Sequence, residues 1–419
     1  MTNPRSTTTD RTRQIHLPFS VVTKPTGAAC NLDCSYCFFL SKELLYESAR
    51  QTMDEKTLNT YVQEFLAAQP DGEVTMLWQG GEPTMRGIDF FRRAVELAKK
   101  HARPGQHVQH ALQTNATLID PTWAAFLKEE NFLVGVSIDG PPDMHNAYRV
   151  NRAARGTYDQ VLRGYRHLKD AGVDINILCT VHAANQDHPI EVYRHFRDDL
   201  GATFMQFIPI VERVEAHNLA TAEEGWRGEG LLYTQTGDAV TSRSVDPAAY
   251  GRFLSAIFDE WVTRDVGEVF VQDFDSALSA FFNRASVCVH APECGYNFAM
   301  EFNGDVYACD HWVEPDYLLG NIADTSFPEL ARSERMREFG LKKNRQLTQQ
   351  CRTCPVLKLC WGGCPKDRFI TSKNGEAGHN YLCDGYYSFY RHILPDMTRM
   401  ARLIAAGKPA ALVMEQPQP

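Results

Sequence analysis

From residue 19 to about residue 210, short apolar runs alternate with stretches whose apolar residues recur every three or four positions. Short runs suit buried strands, and the 3.6 period suits amphipathic helices, so the alternation reads as repeated βα units. Strands are predicted at 19–24 (FSVVTK), 74–79 (VTMLWQ), 108–114 (VQHALQT), 133–139 (LVGVSID), 175–181 (INILCTV) and 204–210 (FMQFIPI). Between the first two, Leu58, Tyr61, Val62, Phe65 and Leu66 fall on one helical face behind Thr52 and Glu55, which read as a capping box. Between the fourth and fifth, Tyr158, Val161, Leu162, Tyr165 and Leu168 repeat that spacing behind Thr157 and Gln160. Six such strands fit a parallel sheet covered by its crossover helices.

The pattern lapses at 223–246, a stretch rich in Gly, Thr and Ser that shows neither period. It reads as a long connection at a domain boundary. A helix is predicted at 247–263, and from Cys288 onward cysteines recur every few residues. The expected division is a polar arm at 1–17, the α/β unit at 18–222, connection and linking helices at 223–284, a cysteine-rich unit at 285–395, and a helix end with a loosely held tail at 396–419.

Composition changes this picture little. Across 419 residues, 43% apolar and 23% charged residues are ordinary globular values. A net charge of −9 repels a phosphate backbone, and no basic run interleaved with aromatics offsets it, so nucleic acid is not an expected partner. No window approaches 18 consecutive apolar residues, and the polar first residues lack a signal-peptide core. A cytoplasmic protein that does not enter the membrane is expected. In a reducing cytosol, twelve cysteines point to metal or redox sites rather than disulfides.

Three of those cysteines, Cys30, Cys34 and Cys37, stand in CNLDCSYC on the loop that leaves the first predicted strand, at the end where α/β folds collect their chemistry. Three thiolates suit an iron-sulfur cubane with one iron left open, a zinc completed by a distant His, or merely small buried residues. The spacing, with Tyr36 inside it, resembles the radical S-adenosylmethionine (SAM) superfamily. That resemblance implies a [4Fe-4S] cluster on these cysteines whose open iron binds the amino and carboxyl groups of SAM. It also implies that QGGEP (Gln79 to Pro83) brings Gly80, Gly81 and Glu82 to the methionyl amino group. QTNAT (113 to 117) and SIDG (137 to 140) end the third and fourth strands. The resemblance assigns Ser137 and Arg149 to polar contacts with SAM, and Ile208 or Ile210 to packing on its adenine.

Eight further cysteines follow: Cys288, Cys294, Cys309, Cys351, Cys354, Cys360, Cys364 and Cys383. Their spacing, with Gly304 between Cys294 and Cys309, resembles the SPASM domain of peptide-modifying radical SAM enzymes; two zinc ribbons are the alternative. The resemblance implies two auxiliary [4Fe-4S] clusters, one on Cys288, Cys294, Cys309 and Cys364 and the other on Cys351, Cys354, Cys360 and Cys383. Cys179 is left over inside a strand and reads as a small core residue. The implied fold is α/β, a partial (β/α)6 TIM-type barrel followed by a cysteine-rich SPASM iron-sulfur domain.

YACDHWVEPDYLLGNI (307 to 322) and CWGGCPKDRF (360 to 369) resemble the anaerobic sulfatase-maturating enzymes, which oxidise a Cys or Ser of a sulfatase to Cα-formylglycine. In that family a 5′-deoxyadenosyl radical takes a hydrogen atom from the target Cβ while a carboxylate takes the side-chain proton. Asp310 occupies the carboxylate position. A carboxylate within hydrogen-bond reach is a suitable acceptor for such a proton. Gln79 occupies a substrate-backbone position, His311 and Asp316 follow the base, and Phe39 stands where relatives carry Tyr. Three [4Fe-4S] clusters and SAM are the implied cofactors. An unfolded sulfatase polypeptide and an electron donor such as flavodoxin or ferredoxin are the implied partners of a monomer. Two alternatives remain open: a SPASM-type enzyme forming a thioether or carbon-carbon crosslink, for which no leader-recognition module is seen before residue 19, and a non-catalytic iron-sulfur carrier.

Overall fold

The computed structural model describes residues 19–46, 52–226 and 230–415. The expected polar arm at 1–17 lies outside them. All six predicted strands form: β1 Ser20–Thr23, β2 Gly72–Trp78, β3 Gln106–Thr114, β4 Leu133–Ser137, β5 Asp174–Val181 and β6 Phe204–Pro209. They pair in chain order and in parallel, each to the next. The parallel order follows from the crossover helices, which return the chain to the same end of the strands before each new strand begins. Their apolar faces bury Tyr61, Phe65, Phe91, Val161 and Leu168 against the strands.

Two helix starts differ from expectation. The first helix, Glu55–Ala68, is capped by Asp54, whose carboxylate accepts the Thr57 N–H at 2.7 Å; Thr52 takes no part in the cap. At the helix Tyr158–Asp170, Thr157 is the cap residue by position, yet its hydroxyl donates to the Arg149 carbonyl at 2.9 Å instead. A tertiary partner has displaced the local one.

The remaining strands are β7 Arg213–Val214, β8 Ala239–Val240, β9 Phe270–Val271, β10 Asn297–Met300, β11 Asp305–Tyr307, β12 Leu318–Asn321, β13 Arg368–Thr371 and β14 Ala377–Asn380. β9 continues the sheet beyond β6, and β10 pairs in parallel with β1, carrying β11 and β12 with it. The cysteine-rich unit is therefore hydrogen-bonded onto the edge of the α/β unit in one ten-stranded sheet. The linking helix, Pro247–Arg264, runs beside the long helix Cys383–Ala405, with the Tyr250 and Tyr386 rings 6.0 Å apart. The described part of the tail is better held than expected: Ala410–Glu415 forms a helical turn, Val413 is buried, and its carbonyl accepts from Arg399.

Candidate active site and cluster sites

The candidate residues of the α/β unit gather at the C-terminal ends of its strands. The loop after β1 carries Cys30, Cys34 and Cys37, and the QGGEP loop after β2 is zipped to it. Gln79, Gly81 and Glu82 donate their N–H groups to the carbonyls of Thr23, Gly27 and Ala29 at 2.9, 2.8 and 2.8 Å. Glu82 is wholly buried, and its carboxylate accepts the Thr84 N–H and hydroxyl, the Thr114 hydroxyl and the Asn115 N–H. Those bonds lock QGGEP to QTNAT. Asn115 in turn reaches Cys30 Sγ at 3.7 Å, so three motifs far apart in the chain form one body.

Burial pushes the Cys34 and Cys37 thiols up to about 12; Cys37 further raises Cys34, and Cys30 further raises Cys37. The trio is thus gathered at one place in the fold, and an all-thiolate set of this kind suits an iron-sulfur cluster. Tyr36 donates its hydroxyl to Asp139 at 2.6 Å. Asp139 is a hub: Arg149 binds both its oxygens, from Nε at 2.7 Å and Nη2 at 3.1 Å, and Thr180 N–H adds a bond at 2.8 Å. Burial opposes ionisation there, but Arg149 and His182 outweigh it and hold the Asp139 carboxyl well below the usual range. Arg149 therefore stands beside the cysteine trio with its charge committed to Asp139. Ser137 ends β4 and accepts from Gln113 at 3.0 Å. Ile208, on β6, is 42% exposed despite lying in a strand, leaving an apolar surface at this end of the sheet.

Asp310 arrives from the other unit, in a turn that follows Cys309. Its Oδ1 lies 2.9 Å from the Nζ of Lys24, the residue that follows β1, and a fifth of its side chain remains exposed. Lys24 is completely buried; its ammonium also pairs with Glu301 at 3.2 Å and sits 3.8 Å from the Phe39 ring centroid. Burial lowers His311 to about 4. Asp316 is exposed, in the turn Pro315–Tyr317.

The eight later cysteines fall into two neighbourhoods. Burial raises Cys309, and Cys364 and Cys288 raise it further; burial and then Cys288 do the same for Cys294. Separately, burial pushes Cys360 and Cys383 up to about 12, with Cys351 and Cys354 adding to both. Cys351, Cys354, Cys360 and Cys383 line a cavity of about 210 Å³, where His379 Nδ1 lies 3.7 Å from Cys351 Sγ. These all-thiolate groups, interleaved along the chain, fit iron-sulfur clusters. Cys179 is buried in β5.

Periodicity gave the 223–246 connection no role, yet its described part is a strap over Cys30 and Cys37. Trp226 and Tyr233 pack with Leu40, Val214 and Ala222 against Cys30, Cys37 and Phe38. Trp226 donates to Glu212 at 2.5 Å, Lys42 donates to the Tyr233 carbonyl at 2.6 Å, and Gln235 N–H donates to Glu314 at 2.9 Å. Two large aromatics in a stretch without helical or strand period were the available signal.

A family model of the radical SAM superfamily matches residues 25–196, and a model of the SPASM iron-sulfur cluster-binding domain matches 292–355. The chain is 41% identical over 404 residues to a serine-type anaerobic sulfatase-maturating enzyme of Bacteroides thetaiotaomicron, covering 95% of each chain. It belongs to the anaerobic sulfatase-maturating enzymes. A cysteine-type relative from Clostridium perfringens strain 13 is 32% identical, covering 92% of this chain and 99% of its own. Among solved structures, anSMEcpe with bound AdoMet and Cp18Cys peptide superposes with a TM-score of 0.79 at 31% identity, covering 93% of this chain and all of that one.

As an anaerobic sulfatase-maturating enzyme, the protein is a radical SAM enzyme with a SPASM domain, and its cofactors are [4Fe-4S] clusters and SAM. The match to an iron-sulfur domain replaces the zinc-ribbon alternative, and family membership replaces the non-catalytic carrier. The described helices include none long and apolar enough to cross a membrane.

Proposed function

We propose that this protein oxidises one Cys or Ser side chain of an unfolded sulfatase polypeptide to Cα-formylglycine, with SAM as the oxidant. The observation that carries the reading is Asp310: a partly exposed carboxylate, directly after a cysteine of one all-thiolate group, tethered by Lys24 to the root of the loop bearing the trio. With the clusters and SAM bound, SAM would supply the hydrogen-abstracting oxidant beside Cys30, Cys34 and Cys37, and the auxiliary clusters would accept an electron.

In this assignment Cys30, Cys34 and Cys37 hold the SAM cluster. Cys288, Cys294, Cys309 and Cys364 hold the first auxiliary cluster, and Cys351, Cys354, Cys360 and Cys383 hold the second. Gly80 and Gly81 offer backbone to the SAM amino group, Ser137 and Arg149 bind its polar groups, and Ile208 packs on its adenine. Glu82, its side chain consumed by four donors, holds the loop in shape. Gln79 contacts the substrate backbone, and Asp310 takes the proton of the target thiol or hydroxyl. Residues 18–222 form the radical SAM unit, 223–284 the connection and linking helices, 285–395 the SPASM unit, and 396–419 the helix end and tail. A flavodoxin or ferredoxin supplies electrons, and the enzyme works as a cytoplasmic monomer.

The test is anaerobic incubation of reconstituted protein with SAM, a reductant and peptides containing Cys-x-Pro-x-Arg or its Ser counterpart. A formylglycine mass shift supports the reading. SAM cleavage without that shift rejects the substrate.

A further inference from the structure

We propose that Lys24 is a positioning residue for the proton-accepting step, fixing the Asp310 carboxylate relative to the SAM loop. The inference rests on the role of Asp310 proposed above. β1 and β10 pair in parallel with Thr23 opposite Met300, and Lys24 N–H donates to the Met300 carbonyl at 2.9 Å. Lys24 and Glu301 therefore leave neighbouring strands side by side, one from each unit. The lysine stem runs against Gly80, where an added Cβ would lie 3.1 Å from Lys24 Cβ and 3.3 Å from its Cγ. Its ammonium is seated over Phe39 and paired with Glu301 at 3.2 Å and Asp310 at 2.9 Å.

Four groups thus fix one buried cation: the SAM-motif glycine, an aromatic from the helical turn after the trio, a buried carboxylate, and the candidate base. An unpaired buried ammonium is costly, so this one needs a partner throughout the reaction. Glu301 is that partner. When the S–H or O–H bond of the target breaks and an O–H bond forms on Asp310, the ammonium keeps its protons and remains balanced by Glu301. The hydrogen atom and the electron leave by the routes already given, so Lys24 neither gains nor loses anything in the step. What it supplies is a fixed point between the SAM loop and the carboxylate, linking two units that carry different halves of the chemistry.

A merely structural ion pair would couple every readout together. A positioning role separates them. The holoenzyme carrying Lys24→Met is compared with wild type on a peptide deuterated at the target Cβ. Iron content, peptide KM, deuterium appearing in 5′-deoxyadenosine, and formylglycine formed per 5′-deoxyadenosine are measured. Iron, KM and deuterium transfer are expected to stay near wild type while formylglycine per 5′-deoxyadenosine falls by at least about tenfold. Lys24→Arg is expected to restore part of the ratio. Adding Lys24→Met to Asp310→Asn is expected to cost little beyond Asp310→Asn alone, because both act on one step.

The proposal is overturned by a wild-type ratio in Lys24→Met, by a parallel fall of iron, deuterium transfer and aldehyde, or by full additivity with Asp310→Asn. Should Lys24→Met fail to load iron, Lys24→Met with Glu301→Gln removes the opposite pair together and is read by the same criteria. A wild-type enzyme that makes no formylglycine sinks the proposed function instead.

Discussion

Gly81 faces Ala29 so closely that a Cβ on Gly81 would lie 2.0 Å from the Ala29 carbonyl oxygen. The SAM-motif loop and the cysteine loop therefore share one backbone surface, and no side chain fits between them. Gly81→Ala is expected to force the loops apart, with a strain of about 1–3 kcal/mol or more. Iron and acid-labile sulfide per chain should fall at the SAM cluster while the SPASM clusters load normally. Full SAM-cluster loading in Gly81→Ala would contradict this contact.

Asp310→Asn keeps the shape of the side chain and removes its capacity to take a proton. SAM cleavage and cluster content are expected to survive, while aldehyde formation drops by about 10²–10⁴-fold. Mass spectrometry of the peptide, read beside 5′-deoxyadenosine, separates the two. Unchanged aldehyde turnover would remove Asp310 from the mechanism.

Asp139→Asn leaves the buried Arg149 guanidinium without its charge partner, a change that costs about 3–5 kcal/mol in comparable buried pairs. Burial works against the Asp139 carboxylate, Arg149 and His182 together outweigh it, and the folded value lies well below the usual range. For an acid depressed in the folded state, the stabilisation is complete above the unfolded value of about 3.9 and is lost as pH falls toward the folded value. The melting-temperature gap between wild type and Asp139→Asn should therefore stay constant from pH 8 to 5 and narrow only in more acid solution. A gap that closes near neutrality would mean that another group carries the effect.

Trp226→Ala removes the largest side chain of the strap that covers Cys30 and Cys37. The SAM cluster is expected to bleach several-fold faster in air, with the auxiliary clusters unaffected, as followed by absorbance and iron release. Equal bleaching rates would show that the strap does not shield the cluster.

Much of this arrangement was legible because it is local. The trio, QGGEP and the six strands are patterns a few residues long, and their positions relative to the strands survive folding intact. Spacing alone did not divide the eight later cysteines; that division came from family resemblance, and what the fold adds is that Cys364 comes back toward Cys309 and Cys288. Lys24 and Glu301 were invisible for the opposite reason. Each is an unremarked charge at a strand end, and their partnership exists only once β10 lies beside β1. The helix caps failed in the same way: Asp54 outcompeted Thr52, and a distant carbonyl claimed Thr157. The strap escaped because contacts with the trio, rather than any period of its own, order it.

The parallel pairing of β1 with β10 also limits how this enzyme can be rebuilt. A SPASM unit joined by a flexible tether could be exchanged for another iron-sulfur module by cutting the tether. Here the exchange would strip hydrogen bonds from the strand that leads into the cysteine trio. An incoming module would have to bring its own strand, in parallel and in register, before its clusters could be of use. In this protein the iron-sulfur unit is a graft with a fixed seam, and variants made by swapping modules should be selected first for that seam and only then for their metal content.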